Sequence, residues 1–125
     1  MKVLKTINVD LFFTLKKIDE STLDREKHGS GRRHKYFECP INQIVKKYGL
    51  PLRGFTKNGV TYNWLFKIEY GNVEMYIHIT NLRRNDTTKW IAVFSTDEPL
   101  SDNFIYMVLN NTIGRYLGVE LRNYI

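Results

Sequence analysis

The chain has 125 residues, 42% of them hydrophobic and 26% charged, with 19 Lys and Arg against 13 Asp and Glu for a net charge of +6. That is the size and composition of a single globular domain (residues 1–125) with its own core, and it excludes a disordered polymer. A lone cysteine, Cys39, excludes an internal disulfide framework and suits a reducing compartment, and no apolar run reaches the roughly eighteen residues that would span a bilayer.

The N-terminal segment carries Leu4, Ile7, Leu11, Leu15 and Ile18 at helical spacing, which predicts an amphipathic helix ending near Ile18. A rival reading makes residues 2–8 a strand, with Asp10 capping a helix that starts at Leu11. Both turn Leu11, Leu15 and Ile18 toward the core. Asn8 and Asp10 interrupt the apolar stretch a signal peptide needs, so an untargeted, cytoplasmic protein without a membrane anchor is expected. Residues 19–35 are nearly devoid of apolar side chains and contain Gly29-Ser30-Gly31; they read as a solvated helix extension running into a flexible basic loop.

Pro40 suits a first helical turn, Ile41, Ile44, Val45 and Tyr48 form one stripe, and Gly49 offers a C-terminal cap, so a short helix is expected over 40–48. Lys46 and Lys47 project from its exposed side. Over 61–80 two alternating apolar runs flank Gly71-Asn72, which predicts a hairpin. Closing it there sets Tyr70 opposite Val73, Ile68 opposite Met75, Phe66 opposite Ile77 and Trp64 opposite Ile79. All eight then share one face, and a slip of one residue would split them between faces. The other face pairs Leu65 with His78, Lys67 with Tyr76, and Glu69 with Glu74. A third strand over 89–96 is apolar on both sides and belongs inside the sheet. A final helix is expected from Ser101 or Asp102, with Ile105, Val108, Leu109, Ile113, Tyr116 and Leu117 as its core stripe. The fold class is therefore α+β, an antiparallel sheet of three or more strands packed against helices.

Nine Lys and Arg residues lie between Arg25 and Lys57, opposed there only by Glu26 and Glu38, so the excess charge is local. A local basic surface is the footprint of a polyanion-binding protein. Arg32, Arg33 and Lys35 are interleaved with Tyr36 and Phe37, which offers cations for phosphates and a flat ring for a base. Lys46, Lys47, Arg53 and Lys57 extend this candidate nucleic-acid surface, and Arg83 and Arg84 add a second loop. The plainer reading turns Tyr36 and Phe37 into the core as part of a strand. The leading expectation is a non-enzymatic protein that binds nucleic acid or a nucleoprotein complex, of a kind that suits a phage or mobile-element accessory protein. The alternative is an interaction module, an inhibitor or adaptor, docking on the acidic surface of a larger enzyme through Lys67, Tyr76, His78, Arg83 and Arg84.

Other chemistry is poorly supplied. His28, His34 and Cys39 lack a fourth ligand for a closed zinc site, and no cofactor is expected. Cys39 precedes Pro40 at a helix N-terminus, where a thiol pKa can fall, but no partner base is evident. Gln43 to Pro51 resembles the first helix and turn of a helix-turn-helix, although Gly54 and Gly59 are poor residues for a second helix. The stretch Lys89-Trp-Ile-Ala-Val-Phe-Ser-Thr-Asp97 with Leu100, Ser101 and Ile105 is similar to the strand and cap before the last catalytic helix of DDE-type insertion-sequence transposases. Gly31-Arg-Arg-His-Lys-Tyr36 resembles a basic motif upstream in such enzymes. The resemblance implies Glu120 as the counterpart of the catalytic glutamate and, loosely, Asp10 as that of the second aspartate, in a relic of such a transposase. Tyr116-Leu117 stand where that family has an Arg-Trp pair.

Overall fold

The structure, a computed structural model, describes residues 2–19 and 33–123. Eight strands form one antiparallel sheet: β1 (Val3–Asn8), β2 (Thr14–Ile18), β3 (Arg33–Glu38), β4 (Leu52–Thr56), β5 (Gly59–Tyr70), β6 (Val73–Asn81), β7 (Lys89–Ser95) and β8 (Arg122–Asn123). Their order across the sheet is β1-β2-β5-β6-β7-β3-β8, with β4 paired to the first half of β5. Two α-helices, α1 (Ile41–Tyr48) and α2 (Asp102–Leu109), complete the described residues, and α2 continues as a π-helical segment over Asn110–Arg115. The sheet dominates and the helices are few, so the α+β class holds in its broad form.

The β5–β6 hairpin has the expected register. Tyr70 pairs with Val73, Ile68 with Met75, Phe66 with Ile77 and Trp64 with Ile79. Gly71 takes φ +60° while Asn72 keeps a negative φ, the sign pattern of a type II′ turn that matches the twist of paired strands. β7 lies inside the sheet between β6 and β3, as its two apolar faces require. Trp90, Ala92 and Phe94 join the hairpin's apolar face, and Phe37 of β3 extends it. Tyr36 points to the other face, so only Phe37 of the pair enters this core.

Helix α1 forms as punctuated. Pro40 precedes it, and the Gly49 N–H donates to Val45 O at a φ of +89°, open to glycine at little cost. Ile44 and Tyr48 are buried against the sheet, and Trp64 Nε1 donates to Gly49 O. Ser101 caps α2 by accepting the Phe104 N–H, and Ile105, Val108, Leu109, Ile113 and Leu117 bury as one stripe with Tyr116 at its margin.

At the N-terminus the strand half of the rival reading holds: residues 3–8 are a strand. The helix of either reading does not form, and residues 14–18 are a second strand. Asp10 caps a turn instead: its carboxylate accepts the N–H groups of Phe12 and Phe13, and Val9 N donates to Phe13 O. Leu15 and Ile18 are buried, but Leu11 is 97% exposed at the turn tip. The cause is tertiary. The half of β5 beyond β4 leaves an edge, Leu65–Ile68, whose amides and carbonyls need partners, and β2 supplies them. Lys17 is drawn to the covered side, where it donates to Leu50 O; burial, aided by neighbouring Lys5, lowers its pKa. Residues 33–35 belong to β3 rather than to a loop, and the rest of the expected basic loop, residues 20–32, lies outside the described residues.

Tyr48 is fully buried, and its hydroxyl donates to Thr112 O at 2.6 Å, joining α1 to the π-helical segment. Burial raises the phenol well above its ordinary value of 10.0. A raised native pKa stabilises the fold fully below the unfolded value and is lost as pH climbs through the native one. Chemical denaturation across pH should therefore show wild type losing stability above about pH 10 more steeply than Tyr48→Phe. At neutral pH that variant should be about 1–3 kcal/mol less stable, because the buried Thr112 O loses this donor.

Candidate functional site

The sheet has two ends. At one, β5 begins and β6 finishes, so the β4–β5 turn and the loop from Leu82 to Thr88 lie side by side. Hydrogen bonds fasten them. Asn85 sits at φ +68°, a left-handed conformation that asparagine tolerates. Its side-chain oxygen accepts the Val60 N–H at 2.9 Å, and its own N–H donates to Val60 O at 2.9 Å. Gly59 makes this approach possible: a Cβ there would lie 2.5–2.8 Å from the Asn85 amide. Buried Asn81 supplies a second bracket. It accepts from Tyr62 N and donates to Val60 O and Arg83 O at 2.8–3.1 Å. Asp86 closes the loop by accepting the N–H groups of Thr88 and Lys89; slight burial opposes its charge, but these bonds hold its carboxyl below the usual value.

The fastening gathers four exposed cations: Arg53 of β4, Lys57 of the turn, and Arg83 and Arg84 of the loop. None of the four forms an ion pair among the described residues. Arg53 and Phe55 occupy alternate positions of β4 and so share a face; Arg53 lies 5.9 Å from the Tyr62 ring centre, and Phe55 is 74% exposed. Cations and a bare ring thus occur together at this end. Phe55 was missed in the sequence because it reads as an ordinary apolar strand position.

The segment around Arg33 is differently disposed. Arg32 lies outside the described residues. Arg33 donates through Nε and Nη2 to Asp102 at 3.1 and 2.9 Å. Lys35 lies 4.2 Å from the Tyr106 ring centre and also donates to Asn123. Tyr36 points to the opposite face, where its hydroxyl donates to Glu38; that bond raises its pKa. Cations and ring are therefore split across the sheet. Lys46 and Lys47 are exposed in the last turn of α1, well suited to its dipole, and Lys47 lies over Tyr116.

Of the alternative interaction set, Lys67, Tyr76 and His78 share the sheet face opposite the helices, while Arg83 and Arg84 stand in the loop. Lys67 bridges the facing pair Glu69 and Glu74 at 3.2 and 3.1 Å; burial alone would lower its pKa, but these bonds outweigh it and raise it. Tyr76 is buried beside Ile18 and Leu65, and His78 Nε2 meets Asn63 Oδ1 at 2.9 Å.

The remaining chemistry does not assemble. β4 occupies the place of a recognition helix. Cys39 is buried, and burial pushes its thiol up, opposite to activation. His34 is exposed, and His28 lies outside the described residues. Asp10 spends its carboxylate on the turn, while Glu120 pairs with Arg122 at 3.6 Å in a separate cavity. Among the described residues no three His, Cys, Asp or Glu side chains gather as metal ligands, so the carboxylates of the transposase resemblance do not fit a metal site. Among the described residues no helix is long and apolar enough to cross a membrane.

Comparison of the chain with protein-family models, curated proteins and solved structures finds no match.

Asn81→Ala would strip three backbone groups of their buried partner. It should cost about 1–3 kcal/mol in urea unfolding. Amide exchange at Tyr62 should accelerate; an unchanged rate would show that the loop stands without this bracket.

Proposed function

We propose that the protein binds nucleic acid with unpaired bases through the end of the sheet that carries Arg53, Lys57, Arg83 and Arg84. The observation that carries this reading is the fastening of two chain segments by Asn81 and Asn85, which concentrates cations that form no ion pair among the described residues beside an exposed ring. Phosphates need positive charge at the surface, and an unstacked base gains by covering a bare aromatic face. Phe55 supplies the face and Arg53 the charge on the same side of β4. Asp86, the acidic residue within the loop, directs its carboxylate to the loop's own amides; it stays charged, and the four cations outnumber it.

Fluorescence anisotropy with labelled single-stranded and duplex oligonucleotides tests this. Four phosphate contacts on a single strand predict an affinity falling roughly 50-fold between 50 and 200 mM salt. The Arg83→Glu/Arg84→Glu variant should weaken binding to all sequences and flatten the log–log salt slope by about 1.4. Phe55→Ala should cost about 1–3 kcal/mol on single strands and little on duplex. Absence of binding at low salt, or a slope the double variant leaves unchanged, would refute the assignment.

A further inference from the structure

The other end of the sheet carries a second candidate surface of opposite character. There the β1–β2 turn leans against the π-helical segment and encloses an open groove of two adjoining lobes, about 480 and 340 Å³, that share Asp10, Asn111 and Arg115 in their walls. The larger lobe is apolar, lined by Phe13, Tyr70 and Met107, with Leu11 and Phe12 on its lip. The smaller lobe sets two cations, Lys47 and Arg115, against the one carboxylate of Asp10, which the turn's amides engage, beside Val9 and Tyr116.

The backbone holds both walls firmly. Asp10 fixes the turn by accepting two of its N–H groups, and Phe13 stacks on Tyr70 with centroids 5.8 Å apart. On the facing wall, Asn111 donates to Met107 O and accepts from Arg115, so Met107, Asn111 and Arg115 run as one row along the groove. Six residues of π-helix are uncommon, and such distortions recur at functional sites because they re-aim side chains. Leu11 is 97% exposed and Phe12 71%, on a turn that Asp10 braces through the Phe12 and Phe13 amides. A preorganised pair of large apolar side chains held in water is what a binding anchor looks like.

We infer that this groove docks an acidic amphipathic segment of a protein partner, with an apolar residue in the larger lobe and a carboxylate on Arg115 and Lys47. Charge selects the occupant. Neither cation has a carboxylate partner among the described residues, and a second copy would bring another chain of net charge +6 to the same surface. Size excludes a small amphiphile, because Leu11 and Phe12 lie on the lip and only a macromolecular surface covers them. The site lies at the opposite end of the sheet from the proposed nucleic-acid surface and does not rest on that reading.

Panning a random 12-residue peptide library on the full chain, then measuring the selected peptides by anisotropy, tests the inference. The expected consensus combines Asp or Glu with Trp, Phe or Leu. Phe12→Ser and Arg115→Glu should each weaken such peptides at least tenfold, whereas Arg83→Glu/Arg84→Glu should not. Both altered side chains are exposed, so the melting temperature should hold, and it is measured alongside. The inference fails if no peptide is enriched, if the consensus is basic or uncharged, or if neither variant affects binding. Sedimentation showing a dimer that Phe12→Ser dissolves would overturn the choice of occupant.

Discussion

Everything else in the fold hangs on the pairing of β5. Its twelve residues meet β6 along one edge and, on the other, β4 first and β2 after it. The tight turn at Gly71-Asn72 sets the register of the β6 pairing, and because side chains alternate at a period of two, that one register decides which face of the whole sheet is apolar. Trp64, Phe66, Ile68, Met75, Ile77 and Ile79 then bury together, and both helices have an apolar surface on which to pack. The long strand also accounts for the N-terminus. An unpaired edge at Leu65–Ile68 would strand backbone polar groups, and recruiting β2 satisfies them even though the local spacing favours a helix.

With the main core on one face of the sheet and the smaller cluster of Ile18, Leu65 and Tyr76 on the other, the two candidate surfaces lie at the sheet's ends. At one end, asparagines rather than apolar contacts hold two loops together, and cations collect there without ion pairs among the described residues. At the other, a carboxylate-capped turn lifts Leu11 and Phe12 into water opposite a cationic wall. Both arrangements rest on side-chain to backbone hydrogen bonds, which fix loops that have no core of their own. The broad polar face between them is internally satisfied: Lys67 resolves the Glu69–Glu74 repulsion, and Asn63 engages His78.

The parts of this structure legible in the sequence are those whose signals are local. Alternation over 61–80 and the Gly71-Asn72 turn specify a hairpin to the residue, and Pro40 with Gly49 brackets α1. At the N-terminus the strand over residues 3–8 was legible only as a rival reading and β2 was not, because Leu4, Ile7, Leu11, Leu15 and Ile18 satisfy a helical period while the deciding edge lies some fifty residues away in β5. The cationic end was half legible. Arg53, Lys57, Arg83 and Arg84 stand out as charges, but their convergence depends on Asn81 and Asn85 reaching β5 across 21 and 25 residues. Asn85, exposed and polar, carries no sign of that role in its own neighbourhood. From Arg33 to Tyr36 the converse holds: neighbours in a strand point to opposite faces, so Lys35 and Tyr36, adjacent in sequence, lie on opposite sides of the sheet.

The most direct test of a nucleic-acid surface at the fastened loops is a two-dimensional amide NMR titration of the full chain with a short single-stranded oligonucleotide at low salt. Contact at that end predicts shift changes concentrated at residues 53–60 and 82–89. Changes centred on Arg33 to Tyr36, or none at saturating oligonucleotide, would contradict it.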